Sequence, residues 1–409
     1  MGNQLLTSQR IVNRALAVLT ETPSFLNMVN TQYANNFGVD TASKVGDTVM
    51  IRVPQPAVVR NGRIMDIQAQ VDTTVPVQIT TELGVDTGAT DAEMALQIDD
   101  YQEQFIDPKI PGLVTAVENQ VMQTVIPQVA RTVGGLNAGA SAAYTAYNSS
   151  GLALQAGAIL DATLAPKGHT NREMLVNTNS QVDIVTSLQA LFNNQQKVGD
   201  QYKTGRMSSD TLGFDWDSSN LTPSYVRGTG AGYLVGAAGQ TGSSLTTITG
   251  TGTLVPGDTF VITGVFDVHP QTKQTLPSLK NFTVTSSVTA AGTWAITPAI
   301  IPTGPYQNVS NSPAANAPIT IKGTAGQALV NNVAFAKDAF YFVTAKMPNP
   351  PKSYGVDSAT ARWKGIELRF MQGYDMVNGM FISRFDILFG AGILRPELAV
   401  RIPSTITAY

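Results

Sequence analysis

The residues able to do chemistry are few, and their spacing does not suit it. His169 and His269 are the only two histidines in 409 residues. Neither sits in a ligand-spaced pair and no HExxH occurs, so a zinc hydrolase lacks its ligands. There is no cysteine, which removes disulfides, thiolate nucleophiles and Cys-ligated zinc. No GxSxG elbow offers a serine nucleophile. Asp99-Asp100 and Asp215-Trp216-Asp217 place carboxylates close enough for cation binding or acid–base work. Neither has partner ligands nearby, and a solvated helix face and a turn are the expected roles. GTGAGYLVG at 228–236 has the glycines of a dinucleotide loop. Gly- and Thr-rich sequence follows it instead of a helix, and it reads as a linker. The expectation is a non-enzyme with no cofactor and no metal.

The elements that would position a site are of mixed kind. Ser8 opens an amphipathic helix over about 8–20 with Ile11, Ala15, Val18 and Leu19 on one stripe. An aperiodic arm follows to residue 43. Gly46-Asp47-Thr48 and Gly257-Asp258-Thr259 each turn the chain into a strand. Gly permits the turn, Asp bonds nearby backbone and Thr starts the strand. Neither copy precedes a helix N-terminus, so neither is a phosphate cradle. Val49, Ile51 and Val53 alternate as a strand, and Val75–Thr81 returns as its partner. Asp107-Pro108 starts a long helix with Leu113, Val117, Val121, Val125 and Val129 at four-residue steps, kinked by Pro127 and ended by Gly134-Gly135. Further helices are expected at 150–165 and 180–195, the latter capped by Asn179, with a strand at Met174–Val176 between them. From 223 to 335 short Thr-rich strands alternate with turns, the pattern of a small antiparallel β-barrel or sandwich. Strands at Ala339–Ala345, Ile366–Phe370 and Ser383–Phe389 close the chain.

Charge is scarce and uneven. Charged residues make up 13% of the sequence, about half the usual share. Such a surface must be covered by Thr, Ser, Asn, Gln and Gly, or by other subunits. The net charge of −3 argues against dedicated nucleic-acid binding, which needs clustered Lys and Arg. No apolar run approaches the ~18–20 residues that span a bilayer, and no membrane association is expected. From Asp66 to Asp107 there is no Lys or Arg, whereas Arg52, Arg60 and Arg63 lie just upstream. In a lone chain these are solvated faces. In an assembly the acidic stretch of one copy can meet the basic loop of another and fix register. Arg52, Arg60, Arg63, Asp66, Asp72, Asp99 and Asp100 are the candidate inter-subunit contacts.

The sequence NVAFAKDAFYFVTAKMPNPP at 332–351, with QGYDMVNGMFISRFDILFGAGILRPELAVRIP at 372–403, resembles the C-terminal half of the P22-type major coat proteins of tailed bacteriophages. The elements that carry the resemblance are Ala334-Phe335, Asp338-Ala339-Phe340, Tyr374-Asp375, Arg384-Phe385-Asp386-Ile387-Leu388, Gly390 and Arg395-Pro396-Glu397-Leu398. Residues 252–302 are similar to that family's inserted β-barrel, and before about 170 the likeness is of element order only. The resemblance implies an α+β chain of the HK97-like coat fold. Its parts would be an N-terminal arm (1–43), an extended loop (44–85), a spine helix and peripheral domain (86–170), an axial domain (171–222 and 336–409, the latter also peripheral) and an inserted barrel (223–335). It further implies homo-pentamers and homo-hexamers in an icosahedral shell around double-stranded DNA. The partners it brings are a scaffolding protein, a portal protein and, in some shells, a decoration protein, with assembly in the bacterial cytoplasm. Two other expectations compete: an encapsulin-like nanocompartment shell, and a β-rich tail or adhesion protein. An arm and a two-stranded excursion that cannot bury themselves in one subunit favour the shell, where obligate interfaces reach ~2,000–5,000 Å².

Overall fold

The computed structural model describes residues 8–21, 24–33, 48–53, 63, 65, 73–91, 107–137, 140–168, 170–188, 207, 211–363 and 366–405. The chain divides into two compact units. One comprises Met1–Ile51, Val75–Val121 and Phe340–Gly392; the other comprises Arg52–Thr74, Met122–Ala339 and Ile393–Tyr409.

The first unit is a mixed helix–sheet body. Its sheet runs in the order Phe340–Thr344, Met380–Ile393, Ile366–Asp375, Val356–Trp363, and Thr81–Thr90 also pairs with Met380–Ile393. That last pairing is antiparallel from Met380↔Thr90 to Phe389↔Thr81. The helix Ser8–Glu21 lays Ile11, Val12, Ala15 and Leu16, all buried, against the Val356–Trp363 and Ile366–Asp375 strands. Phe25 packs on Phe340 with ring centroids 5.6 Å apart, and its N–H donates to the buried Glu118 carboxylate at 2.6 Å. Gly390 is required where it stands: a Cβ there would lie 1.9 Å from the Gln78 carbonyl oxygen.

The long helix occupies Ile110–Val125 after a 3-10 turn at Asp107–Lys109. All five residues of the four-step apolar stripe are buried. The helix ends earlier than the glycines suggest. Pro127 has no N–H to donate, so the chain tightens into a 3-10 turn at Ile126–Gln128. The Gln128 side chain then donates to the Thr124 carbonyl at 2.8 Å.

In the second unit a five-stranded sheet has the order Ala399–Ser404, Ala328–Ala336, Arg172–Asn177, Asp215–Ser219, with Ser224–Val226 also paired to Ala328–Ala336. Helices Ser150–Ala162 and Thr178–Leu188 pack beside it. The second of these starts earlier than expected. Asn177, not Asn179, caps it, its side-chain oxygen accepting the Asn179 N–H at 3.0 Å.

The Thr-rich region forms a six-stranded antiparallel sheet, in the order Ile319–Ile321, Thr259–Val268, Thr275–Val284, Thr293–Ile300, Gly242–Ile248, Leu234–Val235. It closes on itself. Leu234 bridges Pro318, the Ile319 N–H donates to the Tyr233 carbonyl and the Val235 N–H to the Ala317 carbonyl, both at 3.0 Å. Closure leaves no free edge. The barrel is filled by Phe260, Phe282, Leu245, Ile262, Ile296 and Trp294, the indole meeting Tyr233 edge-on at 4.7 Å. Its strands therefore exceed the short runs that the sequence marked, most of all Thr259–Val268 and Thr275–Val284. GTGAGYLVG is not a linker. Tyr233 and Val235 are core residues of the barrel, and a Cβ on Gly228 would lie 2.2 Å from the Thr253 carbonyl oxygen.

Candidate assembly surface and domain seam

Two regions gather functional side chains, one in each unit. In the first unit the strand alternation of Thr81–Thr90 exposes Glu82 and Asp86 on one face. Arg384, on the neighbouring strand, answers both, at 3.9 Å and 3.6 Å. Its main partner is the fully buried Asp386 at 2.5 Å, and this bond raises the guanidinium pKa further. Asp386 also binds Arg369 at 2.7 Å. Part of the acidic stretch that the sequence offered to a neighbouring copy is thus engaged within its own chain.

The end of this sheet is apolar and bare. Met376 is 87% and Val377 91% exposed, in the turn before Met380, with Tyr354, Tyr374, Phe381 and Ile382 also exposed. Asp375 holds the turn. Its carboxylate accepts from the Asn378 side chain at 2.7 Å and the Val377 N–H at 2.9 Å, which lowers its pKa. The Tyr374 hydroxyl donates to Asp91 at 2.6 Å, and that bond raises the phenol pKa. A shallow groove of about 290 Å³ lies alongside, lined by Tyr354, Val356, Met371, Tyr374, Ile382 and Arg384.

In the second unit the barrel meets the segment after the long helix through polar contacts. Arg131 reaches Asp267 at 2.8 Å, and Lys280 reaches the same carboxylate at 3.0 Å. Burial pushes Asp267 up, but Arg131 and Lys280 outweigh it and hold the carboxyl below its usual range. Lys280 itself is lowered by burial and by Arg131 to about 8. Thr132 is the hub of the seam. The Lys322 ammonium donates to its carbonyl at 2.8 Å and its hydroxyl at 2.7 Å, and Asn281 donates to the same carbonyl at 3.3 Å. Gly323 donates its N–H to the Gly135 carbonyl at 3.0 Å. The Tyr144 hydroxyl lies 3.3 Å from Thr259 Oγ1, and its ring lies so close over Gly135 that a Cβ would be 2.5 Å from it. Gly135 holds a φ of +75°, which a residue with a side chain resists.

The Asp258 of the second Gly-Asp-Thr turn does more than bond its own loop. Its carboxylate accepts the Val255 N–H at 3.0 Å and the Gly228 N–H at 3.1 Å, tying the turn to the segment by which the chain enters the barrel. Burial dominates there and raises its pKa. Arg401, fully buried on Ala399–Ser404, donates to the Gly257 carbonyl at 2.5 Å in the same turn.

Of the candidate contacts, Arg52 lies on the exposed side of the Thr48–Val53 strand and Arg63 is exposed. Arg60, Asp66, Asp72, Asp99 and Asp100 lie outside the described residues, as does His169. His269 accepts the N–H groups of Gln271 and Thr272 in a turn. Asp215 and Asp217 fall two apart on a strand with Trp216 buried between them. Among the described residues no three His, Cys, Asp or Glu side chains group as a metal site, and no helix is long and apolar enough to cross a membrane.

The seam residues carried one signal that the sequence reading passed over. Between 223 and 335 the only charged side chains are Arg227, Asp258, Asp267, Lys273, Lys280 and Lys322. All but Lys273 are buried. Where charge is scarce, what remains is structural.

The profile of the family described as P22 coat protein, gene protein 5, matches residues 22–403. No curated protein matches the chain. Among solved structures the chain is similar to one from Mycobacterium phage Che8, at 14% identity, with 98% of this chain and 94% of that one covered and a TM-score of 0.45. It is similar to the capsid of Ralstonia phage GP4 at 8% identity, with 100% and 95% covered and a TM-score of 0.46. The CUS-3 coat protein I-domain matches at 28% identity over 22% of this chain and 92% of its own, with a TM-score of 0.18.

Proposed function

The chain belongs to the P22 coat protein family, and from that premise we propose that it tiles an icosahedral shell as homo-pentamers and homo-hexamers. It is a major capsid protein of a tailed phage, a structural protein of the virion. The match across nearly the whole chain carries this reading. The α+β architecture with an inserted, closed antiparallel barrel is the one expected of an HK97-like coat chain.

We further infer that the shell encloses packaged double-stranded DNA and assembles in the bacterial cytoplasm around a scaffolding protein. A portal protein would occupy one vertex, with a decoration protein as an optional outer partner. The slight negative charge supports the first point, because a basic lumen would grip phosphates through counterion release and oppose DNA movement. The domain division given above, from the arm at 1–43 to the C-terminal part at 336–409, is proposed on the same ground. So is the role of Arg52, Arg60, Arg63, Asp66, Asp72, Asp99 and Asp100 as inter-subunit contacts.

Electron microscopy of the chain expressed with and without its scaffolding partner tests the proposal. Round shells of uniform diameter are expected with the scaffold, and aberrant or no shells without it. A compact monomer at high concentration under both conditions overturns it.

A further inference from the structure

The buried charges of the seam do not balance. Among the described residues Arg227, Lys280, Lys322 and Arg401 are buried, with Arg131 half-buried beside them, against two buried carboxylates, Asp258 and Asp267, and the more distant Glu397. Asp267 is shared by Arg131 and Lys280. Asp258 spends its carboxylate on backbone N–H groups and feels Arg227 and Arg401. Lys322 has neither carboxylate as a hydrogen-bond partner. Its amine is buried against the two Thr132 oxygens, and it feels the like charge of Arg401. Of the titratable groups beside it, Tyr144, whose ring lies against Gly323, is raised by burial and so neutral, and Arg131, next to Thr132, is turned to Asp267.

We propose that Lys322 is a proton-sensitive latch on the inserted barrel: its amine is neutral when the barrel is docked on Thr132, and protonation loosens that seam. Two donors suffice for the two Thr132 oxygens, so a neutral amine satisfies every hydrogen bond observed. A third proton adds an uncompensated charge in a dry site beside Arg401, which costs several-fold more than an exposed charge would. Burial and Arg401 depress this amine to about 7, whereas a solvated lysine stays charged to ~10.4. Sign follows from linkage. Between those two values the open seam binds one proton more than the docked seam, so docking weakens as pH falls and levels off once the docked amine is also protonated.

Amide exchange of the full chain tests this, read at Val133, Gly323 and Arg401, whose N–H groups donate across or beside the seam. After correction for intrinsic exchange, opening should rise about tenfold per pH unit from about pH 9 to about pH 7 and flatten below. Lys322→Met should remove that component and leave only the weaker dependence due to Lys280. Lys322→Arg, always charged, should open independently of pH, at or above the wild-type low-pH plateau. A Lys322→Met chain that keeps the wild-type slope overturns the proposal. If the variants do not fold, a wild-type seam whose opening is flat over this range overturns it equally.

Discussion

Two charge clusters, one in each unit, are built as mirror images. At the seam one carboxylate, Asp267, answers two cations, Arg131 and Lys280. On the sheet of the other unit one cation, Arg384, answers three carboxylates, Asp386, Glu82 and Asp86. The difference lies in water. The Asp267 and Lys280 side chains are 7% and 6% exposed, so neither can be rehydrated if its partner goes. Glu82 and Asp86 are 50% and 72% exposed, so solvent already does most of the work of their partner. Stoichiometric imbalance is costly in the first cluster and nearly free in the second.

The sharpest way to break that comparison is Asp267→Ala. It strands the buried Lys280 and leaves the half-buried Arg131 without its carboxylate, and should cost about 3–5 kcal/mol, read as a lower urea midpoint. The loss should shrink at alkaline pH, where Lys280, already lowered to about 8, sheds its proton. In the intact protein Asp267 has a depressed pKa. Its contribution is therefore present above the unfolded carboxyl value of ~3.9 and is lost as pH falls through and below it. Acid titration of Asp267→Asn should show a shallower loss than the wild type in that window, and an unchanged acid limb would remove Asp267 as its cause.

Asp386→Ala tests the one buried corner of the exposed cluster. The side chain is 0% exposed and bonds both Arg369 and Arg384. Arg384, 47% exposed, can turn to solvent, and Arg369 keeps its bond to the Pro348 carbonyl at 2.9 Å, so the expected cost is about 2–3 kcal/mol, below that of Asp267→Ala, which strands the 6% exposed Lys280. A larger loss at Asp386 than at Asp267 would refute burial of the partner cation as the governing variable.

What was legible in the sequence follows the same division. The apolar period of 113–129 and the Thr-rich alternation after 223 announced the helix and the barrel, because burial writes a period into sequence. Register and closure were not legible. Nothing local tells Leu234 that it will meet Pro318. The seam was hidden for a related reason: Thr132, Lys322 and Arg401 are each unremarkable where they stand, and only the fold assembles them. Helix ends moved where a single backbone group decided, as at Pro127 and Asn177. The likeness to the family is carried by the C-terminal motifs, which lie mostly in strands such as the buried run Phe340–Thr344, and by residues 252–302 of the barrel.

At the mild end, Glu82→Gln with Asp86→Asn should change stability by less than about 0.5 kcal/mol, the usual worth of exposed pairs. Thermal melts of the unassembled chain measure this. Met376→Ser with Val377→Ser belongs to the same class, since both side chains are already in water and their removal deletes almost no buried area. A loss above about 1 kcal/mol in either variant would show that these residues are covered within the chain after all.

The smallest effect on the fold is the one that separates folding from tiling. Arg63 is exposed, and Arg63→Glu should leave the melt of the single chain within about 0.3 kcal/mol of wild type, a surface substitution away from packed features. If Arg63 meets an acidic face of a neighbouring copy, reversing its sign turns an attraction repeated at every such contact into a repulsion. Shell yield should then fall severalfold at low salt and recover partly as salt screens the contact over about 10 Å. An unchanged yield at low salt, with an unchanged melt, would remove Arg63 from the inter-subunit contacts and leave it a solvated residue of its own chain.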